Sequence, residues 1–313
     1  MVFINKPWGM RDERRWYLER TKNHIITMSS IRNIYFEKPI VNRMTQGSII
    51  NGCVADSFPN EEVYGLIITP RCDVCHEGKV DSVHYLPVVP FERWFEIIAK
   101  PKIKDIWKKL LFNQLDGKFR SAKVGVEVMS AEFSYEDLIK ICDAKVSKEN
   151  DRKVIKGLLD SYYEKNEEDF DLFLLHGEAN GKLDKKHELI KYLSRLEGND
   201  VAPYYLLESW LDYGIDKHLV VMLRDVHRVQ FSTAMRIKEG VSESEITGLD
   251  FRYNDLFLQN DPKNFFWVQA EINSPFIEHI MQAFVYNFSR IGVDDRPGKT
   301  IDYLYNSVKT TIQ

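Results

Sequence analysis

Hydrophobic positions change their period twice along the chain, and the changes divide it into zones. Between residues 31 and 98, short runs rich in β-branched and aromatic residues predict strands: Gly47–Val54, Val63–Thr69 and Val83–Val89. Turn signals at Ser57-Phe-Pro-Asn60 and His76-Glu-Gly-Lys79 separate them. Three closely spaced strands predict a small twisted sheet or barrel, because each face needs a partner to cover it.

Residues 99–200 follow a helical period instead, and about two in five of them are charged against 29% for the whole chain. Ser134-Tyr-Glu-Asp137 is a capping start, followed by the apolar side Leu138, Ile139, Ile141 and Cys142. Val154, Ile155, Leu158 and Leu159 make a second stripe, and Leu183–Leu193 a third that ends at Gly198. Three or four helices are expected, as an insertion or a separate domain.

After residue 200 mixed structure returns. His218–Leu223 and Phe265–Ile272 lack alternation, which predicts strands covered on both faces. Ser274-Pro275 predicts a helix start, Gly292 its end, and Ile277, Ile280/Met281, Phe284 and Phe288 its buried stripe. The expected fold class is α+β: a small SH3-like β-barrel core from 31–98 and 201–273, a charged helical insertion at 99–200, and a C-terminal helix and tail at 274–313 that packs on the barrel. Residues 1–30 form an N-terminal arm.

Composition narrows the setting. Eighteen Phe, fifteen Tyr and six Trp among 313 residues supply a sizeable core. A net charge of −4 excludes a globally cationic nucleic-acid coat but not a local basic face. The first 20 residues show no apolar signal-peptide core, and no apolar run is long enough to span a bilayer. With four cysteines read as reduced thiols, the expectation is a cytoplasmic protein without membrane contact.

Three segments carry candidate chemistry. Cys72-Asp-Val-Cys75-His76 matches a haem-attachment pattern, excluded because that chemistry requires export. Its C-x₂-C spacing, with Cys53 and His84 nearby, also makes a weak zinc candidate of Cys53, Cys72, Cys75 and His84, although no second ligand pair exists. Asp73, beside Arg71 at the end of a strand, either orients a substrate or closes an Asx turn. Glu278 and His279 at a helix start form an acid–base pair or serve the helix dipole. Lys100, Lys102, Lys104, Lys108, Lys109, Lys118, Arg120 and Lys123, interleaved with Trp107, Phe112 and Phe119, suit nucleic-acid phosphates and bases, or line the solvated face of an amphipathic helix. No P-loop, dinucleotide fingerprint, zincin helix or nucleophile elbow occurs, and no cofactor is expected.

Ile68-Thr-Pro-Arg-Cys-Asp73 and Tyr85-Leu-Pro-Val-Val-Pro90, with Ser274-Pro275, Glu278-His279, Gln282, Phe284 and Phe288-Ser-Arg-Ile-Gly292, resemble the two signatures of an uncharacterised bacterial family. That family generally lacks Cys75. The resemblance implies an accessory protein of prokaryotic gene clusters, anti-phage systems among them, and supplies no reaction. Gly47-Ser-Ile-Ile, Gly65-Leu-Ile-Ile-Thr69 and Leu86-Pro-Val-Val-Pro90 are also similar to the SH3-like barrel of PemK/MazF ribonuclease toxins, departing from it at Gly47-Ser48 and Val63-Tyr64. The leading expectation is a non-catalytic binding or regulatory component of a multi-gene defence system. It would engage a protein partner encoded nearby, or DNA or RNA. The alternative is a metal-independent ribonuclease using Arg71, Asp73, Glu278 and His279.

Overall fold

The computed structural model describes residues 35–289 apart from 77, 125–132, 166–167, 177, 180–181, 208–217, 248–253, 260 and 262. The N-terminal arm expected at residues 1–30, and the helix end expected at Gly292, lie outside the described residues.

In chain order the elements begin with β1 (Phe36–Glu37), β2 (Ser48–Cys53), β3 (Val63–Ile67), the short α1 (Arg71–Val74) and β4 (Ser82–Pro90). A long helical run follows as α2 (Phe91–Trp94), a π-turn (Phe95–Ala99) and α3 (Lys100–Ser121), then α4 (Tyr135–Lys145), α5 (Glu149–Tyr162) and α6 (Glu168–Leu175). The ribbon β5 (Glu178–Ala179) and β6 (Lys182–Leu183) precedes α7 (Glu188–Glu197), β7 (Tyr204–Leu207), β8 (Leu219–Met222) and β9 (His227–Gln230). The chain continues through α8 (Phe231–Glu239), β10 (Val241–Ser242), α9 (Glu243–Thr247), β11 (Phe265–Phe266), β12 (Val268–Ile272) and α10 (Phe276–Ser289).

One curled antiparallel sheet organises the molecule, in the order β1-β12-β2-β3-β4-β8-β7, with β9 alongside β4. Strands distant in sequence meet at its centre: Val268 opposes Ile50, and Val88 opposes Val221. The nine-residue β4 pairs with β8 through its second half and with β9 through its first, so the sheet divides at that strand.

Both faces of this sheet are buried, which accounts for the continuous apolar runs. Side chains still alternate by strand geometry. Ile50, Val83, Tyr85, Val89, Val220 and Met222 face the helices, while Ile49, Leu66, Leu86, Val88, Val221 and Tyr205 face α10. Ile277 and Ile280 of α10 seal the second face. A third cluster of Leu115, Phe119, Leu138, Cys142, Ile155 and Leu159 lies among α3, α4 and α5.

Helix starts right after the sheet, at Phe91 rather than near residue 99. Trp94, Ala99, Ile103 and Trp107 are buried together in the helix-side core and hold this run against the sheet. Pro101 has no N–H to offer the carbonyl four residues back, and the preceding turn widens so that Lys100 N donates to Phe95 O. Ser134 caps α4 as expected, its Oγ accepting from Asp137 N at 3.2 Å.

Candidate functional site

The structure scatters the residues expected to act together. Val74 of α1 belongs to the helix-side core, whereas Ile277 and Ile280 belong to the opposite core. Asp73 and the Glu278–His279 pair therefore flank different faces of the sheet. Asp73 forms an ion pair with Lys79 and accepts from Cys72 Sγ at 3.2 Å; these two contacts lower its pKa. Arg71 opens the same short helix and is exposed. Glu278 accepts from Ser274 Oγ at 3.0 Å, and His279 Nδ1 shares a 2.8 Å hydrogen bond with the hydroxyl of buried Tyr205. Burial pushes the Tyr205 pKa up to about 12.

The zinc quartet is not assembled. Cys53 ends β2 inside the core, where burial raises its thiol pKa, while Cys72 and Cys75 are exposed around α1 and His84 is exposed on β4. The C-x₂-C pair Cys72 and Cys75 stays together around α1, but Cys53 of β2 is buried in the core and does not join it.

Half of the basic stretch, four of its eight residues, is paired with carboxylates within the protein. Lys104 and Lys108 both pair with Glu164, the former at 3.1 Å; Lys100 meets Asp171 at 3.4 Å and Arg120 meets Asp116 at 2.9 Å. Contacts from Lys108 and then Lys104 lower the Glu164 pKa. Lys102 lies 3.2 Å from Tyr204 Oη and over its ring. Among the described residues, Lys109, Lys118 and Lys123 make no ion pair with a carboxylate.

A different constellation forms around His227 at the start of β9. The imidazole Nε2 lies 2.7 Å from Asp225 Oδ1 and 3.8 Å from Asp56 Oδ1, while Nδ1 lies 3.6 Å from Asp255 Oδ2. His227 and Asp225 are each 12% exposed; Asp56 stands at the rim, 87% exposed. Burial opposes charge on the imidazole, but Asp225, with Asp255 and Asp56, outweighs it and raises the His227 pKa.

Backbone geometry builds this site locally. β8 ends in a short turn that brings Asp225 back beside His227, and Asp225 Oδ2 accepts from Asp56 N at 3.0 Å. Asp255 is held by backbone bonds to Arg228, its Oδ2 accepting from Arg228 N at 2.9 Å and its own N–H donating to Arg228 O. Tyr85, opposite His227 in the ladder, stacks on the imidazole with ring centroids 5.5 Å apart. Its hydroxyl donates to Asp255 O and accepts from Val54 N at 3.2 Å. Gly65 leaves room for this ring, since a Cβ there would stand 2.9 Å from Tyr85 Cδ2. A cavity of about 220 Å³ opens beside the carboxylates, with Ser57, Tyr204 and Arg224 on its wall.

Sequence reasoning missed these residues. The signal was Asp225-Val-His227 directly after a buried apolar strand, the same strand-end logic applied to Asp73. Asp56 and Asp255 carried no local pattern, since they reach the site through tertiary folding. Protein-family models, curated proteins and solved structures contain no match to the chain.

Proposed function

We propose that the chain is a non-catalytic binding component that engages a protein partner through the outer face of α10. The observation that carries this reading is a second apolar stripe on that helix. Ile277 and Ile280 bury one side, and half-buried Met281 packs at the edge of that core. Val285 and Phe288 continue the Met281 row at i+4 and i+7, 58% and 49% exposed, Phe288 thus lying outside the buried stripe expected for it. A shallow groove of about 480 Å³ runs between Gln46 and this stripe, edged by Glu278 and Gln282. The chemistry suits an amphipathic partner helix whose apolar anchors enter the groove beside a polar rim.

The internal pairing of Lys100, Lys104, Lys108 and Arg120 supports protein over nucleic acid as the ligand. The setting that goes with this reading is a prokaryotic anti-phage or similar multi-gene system, on the strength of the motif resemblance, with the protein in the cytoplasm. The finer fold is an SH3-like barrel with the helical segment as its insertion; the direct pairing of β2 with β12 and of β4 with β8 supports it. Co-expression with the products of neighbouring genes tests the function. A stoichiometric complex is expected, and Val285→Asp with Phe288→Asp should dissolve it while the chain stays folded. A complex indifferent to both substitutions, a self-dimer through this face, or absence of a complex overturns the reading.

One observation favours a second reading, a metal-independent ribonuclease. His279 carries an exposed imidazole hydrogen-bonded to Tyr205, a group able to move a proton. Cleavage of single-stranded RNA that disappears in His279→Ala is the expected signature; cleavage that survives the substitution removes His279 from the reaction.

A further inference from the structure

We propose that Asp56, Asp225 and His227 form a binding site for a first-row transition-metal dication, with Asp255 as the outer carboxylate that orients the imidazole. Among the described residues this is the one group of three or more His, Cys, Asp or Glu side chains whose ligand atoms all lie within 4.8 Å of one another.

The spacing fits a shared ion. Nitrogen and oxygen ligands about 2.0–2.2 Å from a metal stand roughly 2.9–3.6 Å from one another. Nε2 lies 2.7 Å from Asp225 Oδ1 and 3.8 Å from Asp56 Oδ1, so shifts of a few tenths of an ångström bring the imidazole into that range of both carboxylates, which themselves approach within 4.8 Å of one another. An independent observation points into the same space. His227 Nε2 is sealed from solvent, and its close approach to Asp225 is not aligned as a hydrogen bond. An inward-facing nitrogen of this kind is suited to offer its lone pair to a cation.

The outer shell is already in place. Asp255 faces the opposite ring nitrogen, as in carboxylate–histidine–metal arrangements, and is itself fixed by Arg228 N. Tyr85 holds the ring plane by stacking. One imidazole with two carboxylates selects Zn²⁺, Mn²⁺ or Fe²⁺ over Mg²⁺ or Ca²⁺, which prefer oxygen alone. Asp56 and Asp225 also border the cavity of about 220 Å³, leaving coordination positions open to water or a small ligand.

Isothermal titration of the untagged, chelator-treated full chain with Zn²⁺ and with Mn²⁺ tests the site. One ion per chain is expected. Asp56→Asn, at an exposed rim position, should weaken binding without unfolding the protein, and Asp255→Asn should weaken it on the order of 10–100-fold. Co²⁺ loading should produce d–d bands without thiolate charge transfer, and Cys72→Ser/Cys75→Ser should bind as the parent does. Absence of binding, affinity unchanged in both aspartate variants, or a thiolate spectrum overturns the assignment.

Discussion

Tyr85 shows how much one side chain organises here. Its ring is fully buried, stacks on His227, and its hydroxyl ties the loop after β2 to the segment carrying Asp255. Tyr85→Phe keeps the ring but leaves Val54 N and Asp255 O without their buried partner. A loss of about 1–3 kcal/mol is expected in urea denaturation. Asp73→Ala, by contrast, removes a surface ion pair with Lys79 and a surface contact from Cys72 Sγ, and should leave the urea midpoint within error of the parent. The two residues had unequal visibility in the sequence. Asp73 stood out because it ends a motif, whereas Tyr85 read as one more strand aromatic. Its importance comes from Val54, Asp255 and His227, which lie 31, 170 and 142 positions away.

At the scale of elements, local signals performed well wherever they report local physics. β2, β3 and β4 fall inside or within one residue of the expected runs, and Ser134 caps the helix it was expected to cap. What periodicity did not separate was a lysine face open to solvent from one neutralised across helices, because Glu164 lies 60 and 56 positions from Lys104 and Lys108. Glu164→Gln releases both lysines and should lengthen retention on heparin at low salt; unchanged retention means the lysines find other acids. The same contacts give a pH signature. The folded pKa of Glu164 lies below its ordinary value of 4.5, so its stabilisation is present above that value. It is lost as pH falls through the folded pKa, and parent and Glu164→Gln stabilities should converge below pH 4.5. On α10 the two stripes should separate cleanly: Ile280→Ala, at a fully buried site, costs about 2–5 kcal/mol, while Val285→Ala stays within about 0.5 kcal/mol. Chemical denaturation of both variants checks this.

For the whole molecule, α3 connects two cores. Its 22 residues, about 33 Å long, begin among Trp94, Ile103 and Trp107 against the sheet and end at Leu115 and Phe119 among α4 and α5. Leu158 and Tyr162 touch both clusters. The α4–α5 unit should open before the sheet does, visible as faster amide exchange that Leu159→Ala accelerates there and not in β2–β4. Uniform acceleration would show one cooperative body instead.

The pairing of β2 with β12 also has a consequence for synthesis. Ile50 waits for Val268, more than 200 residues downstream, so the sheet cannot close on the ribosome until β12 has emerged. Until then β2 presents a bare, apolar hydrogen-bonding edge to every nascent neighbour. The locally folded helices between them shorten the distance the chain must search, which makes their early formation a safeguard against misassembly.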